Sequence, residues 1–136
     1  VPQPILDAFN ENGWTFVIGT EYLTALSRKL GVNCIGAAAY TEKRIYVFEA
    51  SAILHEFGHF LDCTMGFPQE HKDLYALEAA SAPMKQHAKS NSLEYFAEFF
   101  SYWLSGSTQT LAQLKELTPE TYAYFEELSA DWIPRS

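Results

Sequence analysis

The chain of 136 residues carries nine basic and seventeen acidic residues, which gives a formal net charge of -8. Such an acidic protein repels phosphate backbones, so nucleic acid is excluded as an expected partner. No apolar run approaches the ~20 residues that cross a bilayer. The length fits a single domain over residues 1–136, and a hydrophobic content of 48% is typical of a folded chain.

Two features bear on the compartment in which the protein works. The N-terminal stretch VPQPILDAFNENG lacks the basic start and the apolar core of a signal peptide, but the sequence begins at Val1, so this says nothing about export. The two cysteines, Cys34 and Cys63, form either one disulfide in a secreted protein or two buried thiols. They are too far apart to indicate a structural zinc site.

The first part of the chain mixes helix and strand signals. PQPILDAFNENG predicts a short helix that ends at Gly13, and WTFVIG predicts a strand. TEYLTALSRKLG predicts a helix between Thr20 and Gly31. CIGAAAYTEKRIYVFE predicts a β-hairpin, with strands at about residues 35–40 and 44–49 around the turn TEKR.

Helical patterns dominate after residue 50. A helix is predicted from about Ser51 to Thr64, closed by Gly66 and Pro68. Further helices are predicted at PQEHKDLYALEAAS, at SLEYFAEFFSYWLSG, near residues 108–116 and near residues 119–131, with a loop over APMKQHAKSNS. This order predicts an α+β domain, in which a small N-terminal β-sheet packs on helices and the C-terminal half is mainly helical.

The segment HEFGH places two histidines on one face of the predicted helix. His55 and His59 are four residues apart, so their side chains lie within ~40° of each other around the helix axis. Two imidazoles in this arrangement can bind one zinc ion. Glu56 borders the same face, where a general base can take a proton from water without being a ligand. Gly58 weakens the helix, and the gap that it leaves would let another backbone approach.

A catalytic zinc ion needs a third protein ligand, and LEYFAEFF offers one. This helix is apolar around most of its circumference, yet Glu94 and Glu98 lie one turn apart on it. Burying two carboxylates without partners is unfavourable, so either a metal and its histidines compensate them or their face is exposed to solvent. Glu94 is the candidate ligand. Glu98 and Asp62 are candidates to orient a ligand histidine, with an exposed helix end as the alternative for Asp62.

The segments HEFGHFLD, EYFAEFF and TPETYAYFEEL make about residues 50–131 similar to the catalytic domain of anthrax toxin lethal factor and to the lethal-factor-like zinc peptidases, which include secreted Pro-Pro endopeptidases. The resemblance implies a zincin-like core in which His55, His59 and Glu94 hold zinc and Glu56 is the general base. It also implies that Glu98 is the acidic residue that supports the site from one turn further along.

One position departs from the pattern of that family. Seven residues before the ligand glutamate the family has a tyrosine that stabilises the oxyanion, whereas this sequence has His87. A histidine that donates an N–H can take the same role, so we expect His87 to be catalytic. The alternatives are Tyr75, if the loop over residues 82–92 is rearranged, and an exposed loop position for His87. We expect His71 at the surface.

The leading hypothesis is therefore a secreted, monomeric zinc metalloendopeptidase that binds one Zn2+ per chain and cleaves a peptide or protein substrate. Secretion rests on the resemblance. The IGAAAY strand is the candidate edge for an extended substrate, because small side chains allow close backbone approach. Two alternatives stay open. The domain is either a degenerate, non-catalytic zinc-binding module of a larger toxin-like protein, or a metal-free interaction domain with HEFGH in its core.

Overall fold

The computed structural model of the protein describes residues 2–18, 36–40, 43–47 and 52–132. The elements in chain order are α1 (Gln3–Glu11), β1 (Thr15–Ile18), β2 (Gly36–Ala39), β3 (Arg44–Val47), α2 (Ile53–Thr64), α3 (Gln69–Glu78), α4 (Ser92–Ser105), α5 (Thr108–Leu117) and α6 (Pro119–Trp132). Two short 3-10 turns occur at Ala79–Ser81 and Gln86–Lys89, the second inside the predicted loop. The helix predicted between Thr20 and Gly31 lies outside the described residues.

The α+β class predicted from the sequence is wrong, because the described chain is mainly helical. Each of its three strands has only four residues, whereas helices α2 to α6 occupy most of residues 52–132. The β-branched and aromatic runs of the first part predict extended segments, but segments this short cannot form a broad sheet layer. The helices pack largely on one another, and no described helix is long and apolar enough to span a membrane.

The three strands form one small sheet in the order β1-β3-β2. Strands β2 and β3 pair antiparallel, with Ala39 opposite Arg44, as expected for a hairpin. Strand β1 pairs parallel to β3, with Thr15 opposite Arg44. Among the described strands, β2 therefore lies at an edge of the sheet.

Aromatic side chains fill the core between the sheet and the helices. Helices α2 and α4 make the most extensive contact between described elements, and α1 closes one end of it. The buried apolar residues of this core include Ile5, Phe9, Trp14, Ile45, Phe57, Phe60, Tyr95, Phe96, Phe99, Phe100, Leu114 and Phe125.

Two helix ends show how the second half is fixed. Helix α2 ends at Thr64, and Gly66 then takes a positive φ of 78°, which lets the Phe67 N–H donate back to the Asp62 carbonyl. Helix α6 begins against α3, because the buried Glu78 carboxylate accepts hydrogen bonds from the backbone N–H groups of Glu120 and Thr121. The positive end of the helix dipole also stabilises a carboxylate at this position.

Candidate metal centre

Helices α2 and α4 lie close together because Gly58 leaves room for the backbone of Ala97. A Cβ built on Gly58 would lie 2.7 Å from the Ala97 Cα atom and 2.9 Å from the Ala97 carbonyl oxygen. Only glycine permits this spacing. The close approach expected at Gly58 is therefore present, and it brings the HEFGH and LEYFAEFF segments face to face.

The side chains of His55, His59 and Glu94 converge at this helix contact. Their donor atoms all lie within 4.8 Å of one another. Glu94 Oε2 is 2.9 Å from His55 Nε2, Glu94 Oε1 is 3.3 Å from His59 Nε2, and the two Nε2 atoms are 3.1 Å apart. Two imidazole nitrogens and one carboxylate oxygen form a donor set that zinc accepts, with a fourth position left for water or substrate. These three residues can thus hold a metal ion.

Glu94 is positioned by the start of its helix. The Asn91 side chain caps α4 by accepting a hydrogen bond from the Glu94 backbone N–H at 2.9 Å. Glu94 therefore lies in the first turn, where the helix dipole stabilises a negative charge. The Asn91 cap that starts the helix therefore also fixes the backbone of the candidate ligand Glu94.

The charges of the cluster are strongly coupled. Burial lowers the pKa of His55, but the hydrogen bonds to Glu94 and Glu98 outweigh burial and raise it to about 10. Burial raises the pKa of Glu94, yet the hydrogen bonds from His55 and His59 outweigh burial and hold it well below its usual range. Without a metal, the protein thus compensates the glutamate with a protonated histidine. A bound cation would take the place of that proton.

Each ligand histidine also has a partner on its outer nitrogen. His55 Nδ1 is 3.0 Å from Glu98 Oε2, as expected for a carboxylate that orients a ligand. His59 Nδ1 is 3.0 Å from the Tyr40 hydroxyl. No local pattern points to Tyr40, because it follows β2 and lies 19 residues before His59. Only the tertiary fold brings it to the site.

Glu56 is buried beside the two histidines. Its side chain is only 5% exposed, and its Oε2 atom has no hydrogen-bond partner among the described residues. Burial raises the pKa of Glu56, and the nearby His59 and His55 oppose that effect only in part. A buried carboxylate oxygen without a partner is unfavourable unless water or a ligand reaches it. Its position fits a proton acceptor at the site.

The structure brings His87 to the edge of the cluster. His87 lies on the 3-10 turn Gln86–Lys89 and is 81% exposed, with Nε2 3.5 Å from Glu94 Oε2. Tyr75 is directed elsewhere, because its hydroxyl donates a hydrogen bond to the Lys89 carbonyl at 2.6 Å. Of the two oxyanion candidates, the structure therefore brings His87 to the cluster, beside Glu94.

Two expectations from the sequence need correction. His71, expected at the surface, is only 3% exposed and stacks on Phe96 at a ring distance of 4.0 Å. Asp62 contacts His71 rather than a ligand histidine, with Asp62 Oδ1 2.7 Å from His71 Nδ1. The Tyr124 hydroxyl completes the network at 2.7 Å from His71 Nε2. This buried network joins α2, α3 and α6.

Of the two cysteines, Cys63 lies in the described part of the chain. Cys63 carries a free thiol that is partly buried, so the structure contains no disulfide at this position. Burial raises the pKa of that thiol. Cys34 lies outside the described residues.

Comparison of the chain with known protein families shows its family. The model of the protein family described as "Anthrax toxin lethal factor, N- and C-terminal domain" matches residues 12–128. No curated protein matches the chain. The matched range includes the candidate metal ligands. It covers every described helix and strand except α1, which ends before residue 12, and the last residues of α6.

Proposed function

Because the chain belongs to the anthrax toxin lethal factor family, we propose that it is a zinc-dependent metalloendopeptidase that hydrolyses peptide bonds of a protein substrate. One observation carries the proposal: the donor atoms of His55, His59 and Glu94 converge beside the buried, unpartnered Oε2 atom of Glu56. A merely structural metal site has no need of an additional buried carboxylate. A hydrolytic site requires one.

His55, His59 and Glu94 would hold one zinc ion per chain. When bound, zinc supplies Lewis acidity, which makes water a nucleophile near neutral pH and polarises a carbonyl group. The protein contributes a rigid frame for this chemistry. Glu98 and Glu94 come from one helix and the histidines from another, and the contact at Gly58 sets the distance between the helices.

Glu56 is the proposed general base. Its Oε2 atom accepts a proton from the attacking water and then delivers it to the leaving amine. The raised pKa of this carboxyl suits both steps, because a weaker acid holds the proton long enough to pass it on. Burial is the larger cause of that rise, so the site depends on excluding bulk water.

His87 is the proposed donor to the oxyanion. Its exposed ring borders Glu94 and can turn towards a substrate carbonyl. Strand β2 supports the placement of the substrate, because it lies at the sheet edge and packs against α2. An extended peptide added along β2 would pass beside the HEFGH helix.

The substrate and setting of the enzyme follow as further parts of the proposal. The net charge of -8 favours basic peptides through long-range attraction. We propose a secreted, monomeric, toxin-like enzyme. Its partner is a peptide or protein substrate, and it neither binds nucleic acid nor spans a membrane. Secretion is supported by resemblance to the lethal-factor-like peptidases.

The test combines zinc stoichiometry with cleavage of a peptide library. The wild type should bind one zinc ion and cleave. Glu56→Gln should keep the zinc and lose cleavage, whereas Glu94→Gln should lose tight zinc binding. Glu116→Gln is the matched control, because Glu116 is exposed on α5, away from the cluster. A Glu56→Gln protein that cleaves at the wild-type rate would refute the proposed mechanism.

A second function is favoured by one observation, the histidine at position 87 where the related peptidases have tyrosine. The domain would then be a non-catalytic zinc-binding module for partner binding within a larger toxin-like protein. Full zinc occupancy without cleavage of any library peptide, in the presence of added zinc, would support this function over the peptidase. Absence of zinc binding in the folded wild type would refute both.

A further inference from the structure

We propose that Tyr40 is a positioning residue, which holds the ring of His59 in the orientation and tautomer that metal binding requires. The proposal rests on the proposed zinc site and deepens it. It assigns a role to a residue outside both helices that carry the ligands. The carrying observation is the distance of 3.0 Å between the Tyr40 hydroxyl and His59 Nδ1.

The two ligand histidines are held in parallel ways. Each directs Nε2 towards Glu94 and turns Nδ1 outward to an oxygen atom, at 3.0 Å in both cases. For His55 that oxygen belongs to Glu98, which lies on the same helix as Glu94. For His59 it belongs to Tyr40, which enters from the end of β2. The hairpin therefore takes part in the site.

The chemistry of imidazole fixes the direction of the hydrogen bond. A histidine that gives its Nε2 lone pair to a metal carries its proton on Nδ1. His59 Nδ1–H must then donate, and the Tyr40 oxygen accepts. Without that acceptor, the proton on Nδ1 has no fixed partner and the other tautomer, which blocks Nε2, becomes more populated.

The Tyr40 ring is held by aromatic neighbours. Trp14 meets it edge-on at 6.4 Å and Phe67 at 5.4 Å, with interplanar angles of 71° and 87°. Phe67 has a φ of 50°, a left-handed conformation that is unfavourable for a bulky residue. The turn after α2 thus accepts backbone strain where it places a ring against Tyr40. A hydroxyl fixed in this way can orient its partner instead of following it.

The alternative is that the Tyr40 hydroxyl contacts His59 only because a partly buried hydroxyl needs a hydrogen-bond partner, with no effect on the metal site. Both views predict some loss of stability when the hydroxyl is removed. They differ in metal binding, because only a positioning residue changes the affinity and geometry of the site. Removal of partners of this kind from metal-ligating histidines typically weakens metal binding by ~10–100-fold.

The experiment compares Tyr40→Phe with the wild type and with Tyr122→Phe. Tyr122 is a matched control, because it is also partly buried and packed against an aromatic ring, that of Trp103, on α6. Zinc affinity is measured by competition with a chelator. The ligand geometry is measured from the visible absorption spectrum of the cobalt-substituted protein, and the Nδ1 proton of His59 by NMR of the zinc form.

Tyr40→Phe should weaken zinc binding by ~10–100-fold, change the cobalt spectrum and shift the Nδ1 proton signal, while Tyr122→Phe changes none of them. Tyr40→Phe with wild-type zinc affinity and a wild-type cobalt spectrum would overturn the inference and leave the proposed function standing. If the wild type binds neither ion, the zinc site itself fails, and the role of Tyr40 fails with it.

Discussion

The Ala97 Cα atom lies 2.7 Å from where a Cβ on Gly58 would be. The contact joins the middle of the HEFGH segment to the helix that carries Glu94 and Glu98. Since the clashing atoms belong to the backbone, no side-chain rotation can relieve the contact. One missing methyl group therefore controls the separation of the two halves of the site.

We expect Gly58→Ala to destabilise the protein, although alanine is the better helix former. Alanine improves helix propensity by about 1 kcal/mol, whereas overpacking against a backbone costs about 1–3 kcal/mol or more. The free energy of unfolding in urea should fall, and zinc affinity should fall with it. The double variant Gly58→Ala, Ala97→Gly should not recover, because glycine keeps the clashing Cα and carbonyl atoms. A more stable Gly58→Ala protein with unchanged zinc affinity would contradict this account.

The part of the site that could be predicted from the sequence depends on helix periodicity. His55 and His59, like Glu94 and Glu98, are one turn apart, so the sequence fixes their common face without knowledge of the fold. The meeting of the two pairs followed from polarity, because carboxylates on an apolar helix need a partner. His87 depended on the family resemblance, and the structure places it at the edge of the cluster.

The features that could not be predicted are contacts between residues that are distant in the sequence. Tyr40 and the Asp62–His71 pair follow no local pattern, because their partners come from other elements. The strand signals gave extended segments and the hairpin, but neither the parallel pairing of β1 with β3 nor the short length of the strands. The α+β prediction therefore gave too much weight to the strands. The local patterns indicate which segments are extended, but they do not indicate how long the paired strands are.

We expect His87 to affect catalysis without affecting stability. His87→Phe removes the N–H donor and should lower kcat by on the order of 10²-fold, the typical effect of losing one oxyanion donor. His87→Tyr restores a hydroxyl donor and should retain more activity than His87→Phe. Zinc affinity and thermal stability should stay near the wild-type values, because the ring is 81% exposed. The readout is steady-state cleavage of a library-derived peptide.

Gln86→Ala is the control for this series, since Gln86 is the exposed neighbour on the same 3-10 turn. Its kcat should equal that of the wild type. Equal activity of His87→Phe and the wild type would remove His87 from the mechanism. A large fall in zinc affinity would instead make it a further metal ligand.

The Asp62–His71 pair should be important for stability rather than for cleavage. His71→Phe keeps an aromatic ring on Phe96 but leaves the carboxylate of Asp62, which is 1% exposed, without its partner. Breaking a buried pair in this way costs about 3–5 kcal/mol. The double variant Asp62→Leu, His71→Phe should recover much of the loss, because no buried charge remains. Tyr124→Phe should cost only about 1 kcal/mol.

Urea denaturation with zinc present measures these differences. The folded fraction of each variant should cleave at the wild-type rate, which separates stability from chemistry. Our assignment would be wrong if His71→Phe were as stable as the wild type but cleaved more slowly. In that case the network would belong to the catalytic apparatus.

The charge coupling between His55 and the two glutamates predicts a pH dependence for the metal-free protein. Folding raises the pKa of His55 from 6.5 to about 10, because the hydrogen bonds to Glu94 and Glu98 outweigh burial. A group with a raised pKa stabilises the fold fully below its unfolded pKa and loses that effect as the pH rises through the folded value. The free energy of unfolding should therefore fall between about pH 6.5 and pH 10. The lowered pKa of Glu94 acts in the opposite direction, and its contribution is lost in acid below pH 4.5.

The same proton must leave when a metal binds to His55, so zinc binding near pH 7.5 should release protons. Titration calorimetry in buffers of different ionisation enthalpy counts them. Glu98→Gln keeps the three ligands but removes one of the negative charges that hold the proton on His55. The variant should therefore release fewer protons on binding zinc, and its metal-free stability should fall less at alkaline pH. Glu116→Gln should match the wild type in both measurements. Zinc binding that releases no protons at pH 7.5 would mean that His55 is already neutral, and that the carboxylates do not hold its proton in solution.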